Sequence, residues 1–285
     1  MSEVTPTTYG PRPQTQPSRG RRLAGLLIPP FILGGILTGV WYYASYVWLQ
    51  GRRRVLLAPP HKVLTKGFGD WEHLREILAA AGRSGDVALR GLVIAVLIGL
   101  TLATLMSQAR SVERAVWPFM ISLQAIPILA MVPVIGLLFD TGKTSRVIVC
   151  VIFSLFPMVV NALFGLKSAD QGHHDLFTLN NASRWTRLTR LMIPGAMPAV
   201  FAGLRISASL ALIGGIVSDF FFGRGQVGLG QMIVRFKNDT NSPLVLTSIA
   251  VACIFGVIVF LVFSWIERKV VGKWYEGSGR SGPRP

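Results

Sequence analysis

The feature that most constrains this chain is a succession of long apolar runs, at 23–49, 87–106, 115–139, 147–166, 199–217 and 244–266. A hydrocarbon layer about 30 Å thick is crossed by roughly 20 helical residues at about 1.5 Å rise each. Each run is about that long or longer, so each is expected to be a transmembrane helix. The composition agrees: 51% of residues are hydrophobic and 15% charged, against about a quarter charged in soluble domains. A soluble globule of this make-up lacks the polar surface to cover itself. The expectation is an all-α integral membrane protein of about six transmembrane helices.

Lys and Arg total 29 against 13 acidic residues, a formal charge of +16. In a soluble protein that excess points to nucleic acid. Here the basic residues sit mostly at the ends of apolar runs, where they reach headgroups. No basic patch is interleaved with aromatics, and no nucleic-acid partner is expected. Cys150 and Cys253 lie inside apolar runs and act as small hydrophobes. His173, His174 and Asp175 could in principle ligate a metal, but neighbouring residues on one helix point apart, so no metal site is expected. The segment TGKTS at 141–145 ends like a phosphate-binding loop, yet Leu137 stands where that motif needs its first Gly. With no catalytic signal the chain is not expected to be an enzyme, and energy must come from a partner or an ion gradient.

Residues 1–20 are rich in Pro, Thr, Gln and Ser, a composition that cannot offset ordering entropy. They are expected to form a disordered cytoplasmic tail, followed by a transmembrane domain at 21–275 and a flexible tail at 276–285. The first run follows Arg19, Arg21 and Arg22 and is too long for a signal peptide, so it should remain as an anchor. It carries Pro29 and Pro30 and ends in Trp41, Tyr42, Tyr43, Tyr46 and Trp48, an interfacial aromatic belt. The third run contains Pro118, Pro127 and Pro133. Proline inside a membrane helix frees carbonyls that must find partners in protein or a wet cavity, so this helix should be bent or broken near a pathway. Segment 167–197 is basic with helical spacing of apolar residues, as in an amphipathic helix pair on a membrane face. Segment 218–243, with Gly223, Gly225, Gly228 and Gly230, reads as a structured re-entrant or surface loop.

Within the fifth run Ala199, Gly203, Ser207, Ala211 and Gly215 recur every four residues. Such a stripe lets helices approach closely and could either line a translocation path or pack against a neighbour. Gln124, close to Pro127, offers amide donors and acceptors at membrane depth, either to a polar solute or to another helix.

Several segments in order resemble the permease family of bacterial ABC importers for nitrate, taurine, aliphatic sulfonates and related metabolites. They are LAPPHKV at 57–63, VERAVWPFMISLQAIPILAMVP at 112–133, NNASRWTRLTRLMIPGAMP at 180–198, AGLRISASLALIGGIVSD at 202–219 and GLG at 228–230. The resemblance implies a type I ABC importer-like permease fold in the inner membrane. It also implies a homodimer of permeases, two ABC ATPase subunits that carry the ATP and Mg, and an extracytoplasmic solute-binding protein; no cofactor is expected in this chain. In that family a cytoplasmic loop with a Glu-Ala-Ala pattern, then Gly, forms the coupling helix that docks on the ATPase. Here Asp175, Leu176 and Phe177 stand at the Glu-Ala-Ala positions and Asn181 at the Gly. Asn is the non-Gly residue most tolerant of a left-handed backbone. Asp140 replaces a second family Gly. The coupling residues implied are Asp175, Leu176, Phe177, Asn181, Ala182, Ser183, Arg184, Trp185 and Arg187. Trp185 is the candidate anchor, and the alternative is that the loop lies on anionic lipid.

Six spans return the chain to its starting face, and the positive-inside rule favours cytoplasmic termini only weakly, because Arg52, Arg53 and Arg54 follow the first span. The alternative class is a gradient-driven secondary transporter, which should show internal repeats and acidic residues within its spans. Asp219 at the end of the fifth run is the nearest approach to one. The solute is not readable, since in the family selectivity rests largely with the binding protein.

Overall fold

The computed structural model describes residues 19–49 and 56–275, all of the regular structure being helical. The expected tails lie outside these residues, except that Arg19 and Gly20 open the first helix. Contacts divide the chain into Met1–Pro60 and His61–Pro285.

In the first unit, α1 (Arg19–Tyr43) continues across Pro29 and Pro30 and ends in a π-helical turn, Ala44–Trp48. Trp41 Nε1 donates to Ala58 O at 3.1 Å and Ser45 Oγ to Leu57 O at 2.8 Å. These bonds tie the following segment to the helix end. Tyr42 and Tyr46 stack at 6.2 Å, while Tyr43 and Trp48 stay exposed, as a belt residue does when its ring belongs to the headgroup layer.

The chain continues through α2 (Pro60–Val63) and a π turn, Leu64–Phe68, into α3 (Trp71–Gln108). The Asp70 carboxylate caps α3, its Oδ1 accepting from Glu72 N at 3.1 Å. After Ala109 come α4 (Arg110–Ala125) and α5 (Ile128–Phe139). They are bent by 101° at their junction, so the third run breaks as its prolines predict. Pro127 has no N–H to continue the ladder, and its carbonyl instead accepts from Ala130 N at 2.8 Å to start α5.

Next follow α6 (Lys143–Lys167), α7 (Gln171–Leu179), α8 (Arg184–Arg187), a π turn Leu188–Met192, α9 (Ile193–Phe221), α10 (Leu229–Asn238) and α11 (Ser242–Tyr275). Among the described residues four helices are long and apolar enough to cross a membrane: Trp71–Gln108, Lys143–Lys167, the continuous Arg184–Phe221 and Ser242–Gly272. The α4–α5 pair makes a fifth if counted as one span. The remaining predicted run is helical as α1. Segment 218–243, expected as a structured re-entrant or surface loop, carries the short helix α10 between the end of α9 and the start of α11. Its glycines lie at and before the start of α10, while Leu229, Met232 and Phe236 recur at helical spacing and are buried.

Packing within His61–Pro285 centres on α6, flanked by α9 and α3. Towards the α7–α8 end the core joins Ala103, Met106, Met120, Met158, Leu188 and Met192. Towards the other end α3, α10 and α11 bury Ile77, Ala80, Leu229, Met232 and Leu244, and Phe222 packs with Val132, Ile135 and Val149. Both ends of the bundle are therefore anchored by apolar contacts on α3 and α6 or their neighbours.

Candidate functional site

The predicted coupling residues come together in the α7–α8 hairpin. Asp170 caps α7, its Oδ1 accepting from Gly172 N at 2.7 Å, and no residue of α7 is buried. The chain turns at Asn181, whose φ is 50°. Asn181 N donates to Thr178 O and Ala182 N to Phe177 O, at 3.0 and 2.9 Å, satisfying carbonyls that α7 leaves open at its end. Ser183 then caps α8, its Oγ accepting from Thr186 N at 3.1 Å. Arg187 Nη2 donates to Thr178 Oγ1 at 2.9 Å and so braces the two helices. Of the named residues, Asp175, Leu176, Asn181, Ser183, Arg184 and Trp185 are exposed, while Phe177, Ala182 and Arg187 are half-buried. Trp185 is 72% exposed and Leu179 80%, leaving apolar groups without cover at the tip. Among the described residues no cluster around His173, His174 and Asp175 could hold a metal.

The stripe on α9 faces α6 and α3. Gly203, Ser207, Ala211 and Gly215 are buried and Ala199 half-buried. A Cβ at Gly203 would fall 2.6 Å from Asn161 Cβ, and one at Gly215 would fall 3.2 Å from Ser84 O. Ser207 Oγ donates to Ser154 O at 2.9 Å. Gln124 and Pro127 sit apart from this stripe, exposed at the α4–α5 break.

A polar network at the end of the bundle opposite the hairpin escaped the sequence reading. Arg146 of α6 and Asp219 of α9 form a buried ion pair, Nη1 to Oδ1 at 2.9 Å, with side chains 5% and 1% exposed. Ser84 of α3 donates from Oγ to Asp219 Oδ2 at 2.6 Å and accepts from Leu229 N at 2.8 Å. Arg146 also donates to the carbonyls of Phe222, Arg224 and Gln226 at 2.8 to 3.0 Å. One guanidinium thereby bonds three carbonyls of the α9–α10 connection. The position of Gly228 follows, because a Cβ there would overlap the Asp219 carboxylate. The available signal was an Arg near the start of one run and an Asp at the end of another.

The model of the family described as "Binding-protein-dependent transport system inner membrane component" matches residues 95–272. This chain belongs to that family. The match covers every predicted site residue. The chain is 33% identical over 177 residues to a formylaminopyrimidine transport permease of Halalkalibacterium halodurans, covering 62% of this chain and 70% of that one. It is 30% identical to a riboflavin transport system permease of Chloroflexus aurantiacus, over 58% of this chain and 60% of that one. With a taurine transport system permease of Escherichia coli the identity is 26%, over 82% and 86%. A crystal structure described as an amino acid ABC transporter with histidines shares the fold, with a TM-score of 0.59 at 16% identity, over 70% of this chain and 95% of that one. The chain is thus a permease subunit of an ABC importer, a multi-pass inner-membrane protein of the nitrate, taurine and sulfonate type. Members of this family are transport permeases and not enzymes, and membership decides against the gradient-driven alternative. It also implies ATPase and solute-binding protein partners.

Proposed function

We propose that the α7–α8 hairpin of this permease is the element that docks on the ATPase, and that two copies of the chain form one translocation pathway. In this reading Asp175, Leu176, Phe177, Asn181, Ala182, Ser183, Arg184 and Trp185 present the docking surface, and Arg187 stiffens it from within. The carrying observation is that the exposed apolar tip stands on a braced turn continuous with the long helix Arg184–Phe221. Such a rigid connection transmits a shift of one body to another. The α9 stripe serves close packing, while Gln124 and Pro127, at the break, are the candidates for contact with solute. Both termini and the hairpin share the cytoplasmic face.

Truncating a buried aromatic anchor costs ~2 kcal/mol or more of association, about thirtyfold in affinity. Trp185→Ala should therefore leave the permease inserted yet reduce ATPase co-purification and ATP-driven uptake in vesicles. Unchanged association and uptake after scrambling residues 175–190 would remove the docking role altogether.

A further inference from the structure

We infer that the cleft between α3, α6 and the α9–α10 connection is a binding site for an anionic phospholipid, its phosphate held by Arg83 and Lys143 and its acyl chain lying along α3 and α6. The inference is independent of the docking role given to the hairpin.

Two adjoining hollows carry it. The first, about 570 Å³, is lined by Arg83, Asp86, Lys143, Arg146 and Arg224 together with small residues and Gln226. The second, about 860 Å³, is an apolar groove between Leu89, Val93 and Ile94 on one side and Val147, Ile148 and Val151 on the other. They share Asp86 and Lys143, so a charged chamber opens directly into an apolar channel. Leu89, Val93 and Ile94 are 58%, 49% and 41% exposed, and the groove is open along its length.

The charges in the chamber are not balanced. Asp86 serves both Arg90, at 3.0 Å, and Lys143, at 2.5 Å. Asp219 serves Arg146, and Asp140 meets Arg224 only at 3.3 Å on the surface. Arg83 spends its Nε on Val227 O at 2.6 Å and has no carboxylate at ion-pair distance among the described residues. Four cations, Arg83, Lys143, Arg146 and Arg224, thus line the chamber with one carboxylate, Asp86. Arg146 contributes its charge from the chamber wall, its Nη atoms being spent on Asp219 and on the carbonyls of Phe222, Arg224 and Gln226. Arg is the residue best suited to phosphate oxygens.

Charge alone would suit a free anion as well as a headgroup. The apolar groove decides for the lipid, since it adjoins the chamber and, among the described residues, is lined by α3 and α6 alone, two helices long and apolar enough to cross a membrane. Basic pockets between transmembrane helices are a recurrent headgroup device.

The test is native mass spectrometry of the full-length chain released from vesicles of phosphatidylcholine with phosphatidylglycerol. Wild type should retain phosphatidylglycerol selectively through detergent washing. Arg83→Gln with Lys143→Gln should reduce that retention at least tenfold at unchanged helical content. Ile148→Trp, which fills the groove and leaves the charges alone, should reduce it too and guards against a charge-variant that fails to fold. Equal retention by both variants overturns the inference. So does competition by inorganic phosphate as effective as by the lipid, which would make this a free-anion site. Efficient cross-linking of Ile148→Cys to a second copy or to α1 would show protein in the groove and overturn it as well.

Discussion

Asn181 and Asp140 stand where the resembling family has glycine, and both have positive φ, 50° and 66°. The two are not equivalent. Asn181 lies in the left-handed helical region, which Asn tolerates through its short polar side chain. Asp140 has ψ 166°, a region populated essentially by Gly and costing a side chain of order 1 to 3 kcal/mol. Its carboxylate offsets part of this by accepting from Thr141 N at 2.7 Å. For Asn181 the consequence is testable. Asn181→Gly should be neutral for ATPase co-purification, whereas Asn181→Val, strained by about 1 to 2 kcal/mol at that φ, should weaken it several-fold. Equal behaviour of the two variants would show that the turn geometry does not matter for docking. The left-handed turn was legible because an Asn at a glycine position has few other reasons to be there. Asp140 was less so, since a lone Asp after an apolar run also reads as an ordinary helix end.

At the scale of elements, the buried pair Arg146–Asp219 governs how α6, α9 and the α9–α10 connection are held together. Removing one member of a buried pair leaves an uncompensated charge and typically costs about 3 to 5 kcal/mol, whereas replacing both by apolar groups is often close to neutral. Asp219→Ala should therefore lower the thermal midpoint of the purified permease sharply. Arg146→Met combined with Asp219→Leu should recover much of the loss, unless the three loop-carbonyl bonds of Arg146 dominate. A double variant as unstable as the single one would assign the main role to the carbonyl bonds. The sequence left this pair hidden because its members are 73 positions apart, and each stands near a run end, where a single charge is ordinarily explained by reaching the headgroups. The α9 stripe was visible, being a periodicity within one helix. Its direction was not, because only the neighbouring Asn161, Ser154 and Ser84 show which surface it meets. The same limit applied to α10, whose glycine-rich approach masked a short amphipathic helix.

For the whole molecule, apolar run length revealed the helical plan and proline placement revealed the broken third span, since both depend on local chemistry alone. Which face of the membrane holds the hairpin does not follow from length, and the basic residues are distributed too evenly to decide it. The proposed orientation predicts that a single cysteine at Ser183, in a chain lacking Cys150 and Cys253, is protected from impermeant thiol reagents in intact cells and reacts once the membrane is opened. Labelling in intact cells would invert the topology. The π turn Leu188–Met192 bears on the same large scale, because it lies within the continuous helix between the hairpin and the Asp219 network. A π turn accommodates one residue more than an α turn, so it sets the angular phase between Trp185 at one end and the stripe at the other. Deleting Arg190, which is exposed, can be absorbed by winding the turn back to α, leaving that phase intact. Deleting a residue such as Ser209 from the α-helical part would rotate everything beyond it by about 100° at 3.6 residues per turn. Uptake should survive the first deletion far better than the second, which makes this turn the one place along the shaft where the chain can lose a residue without mistiming its two ends.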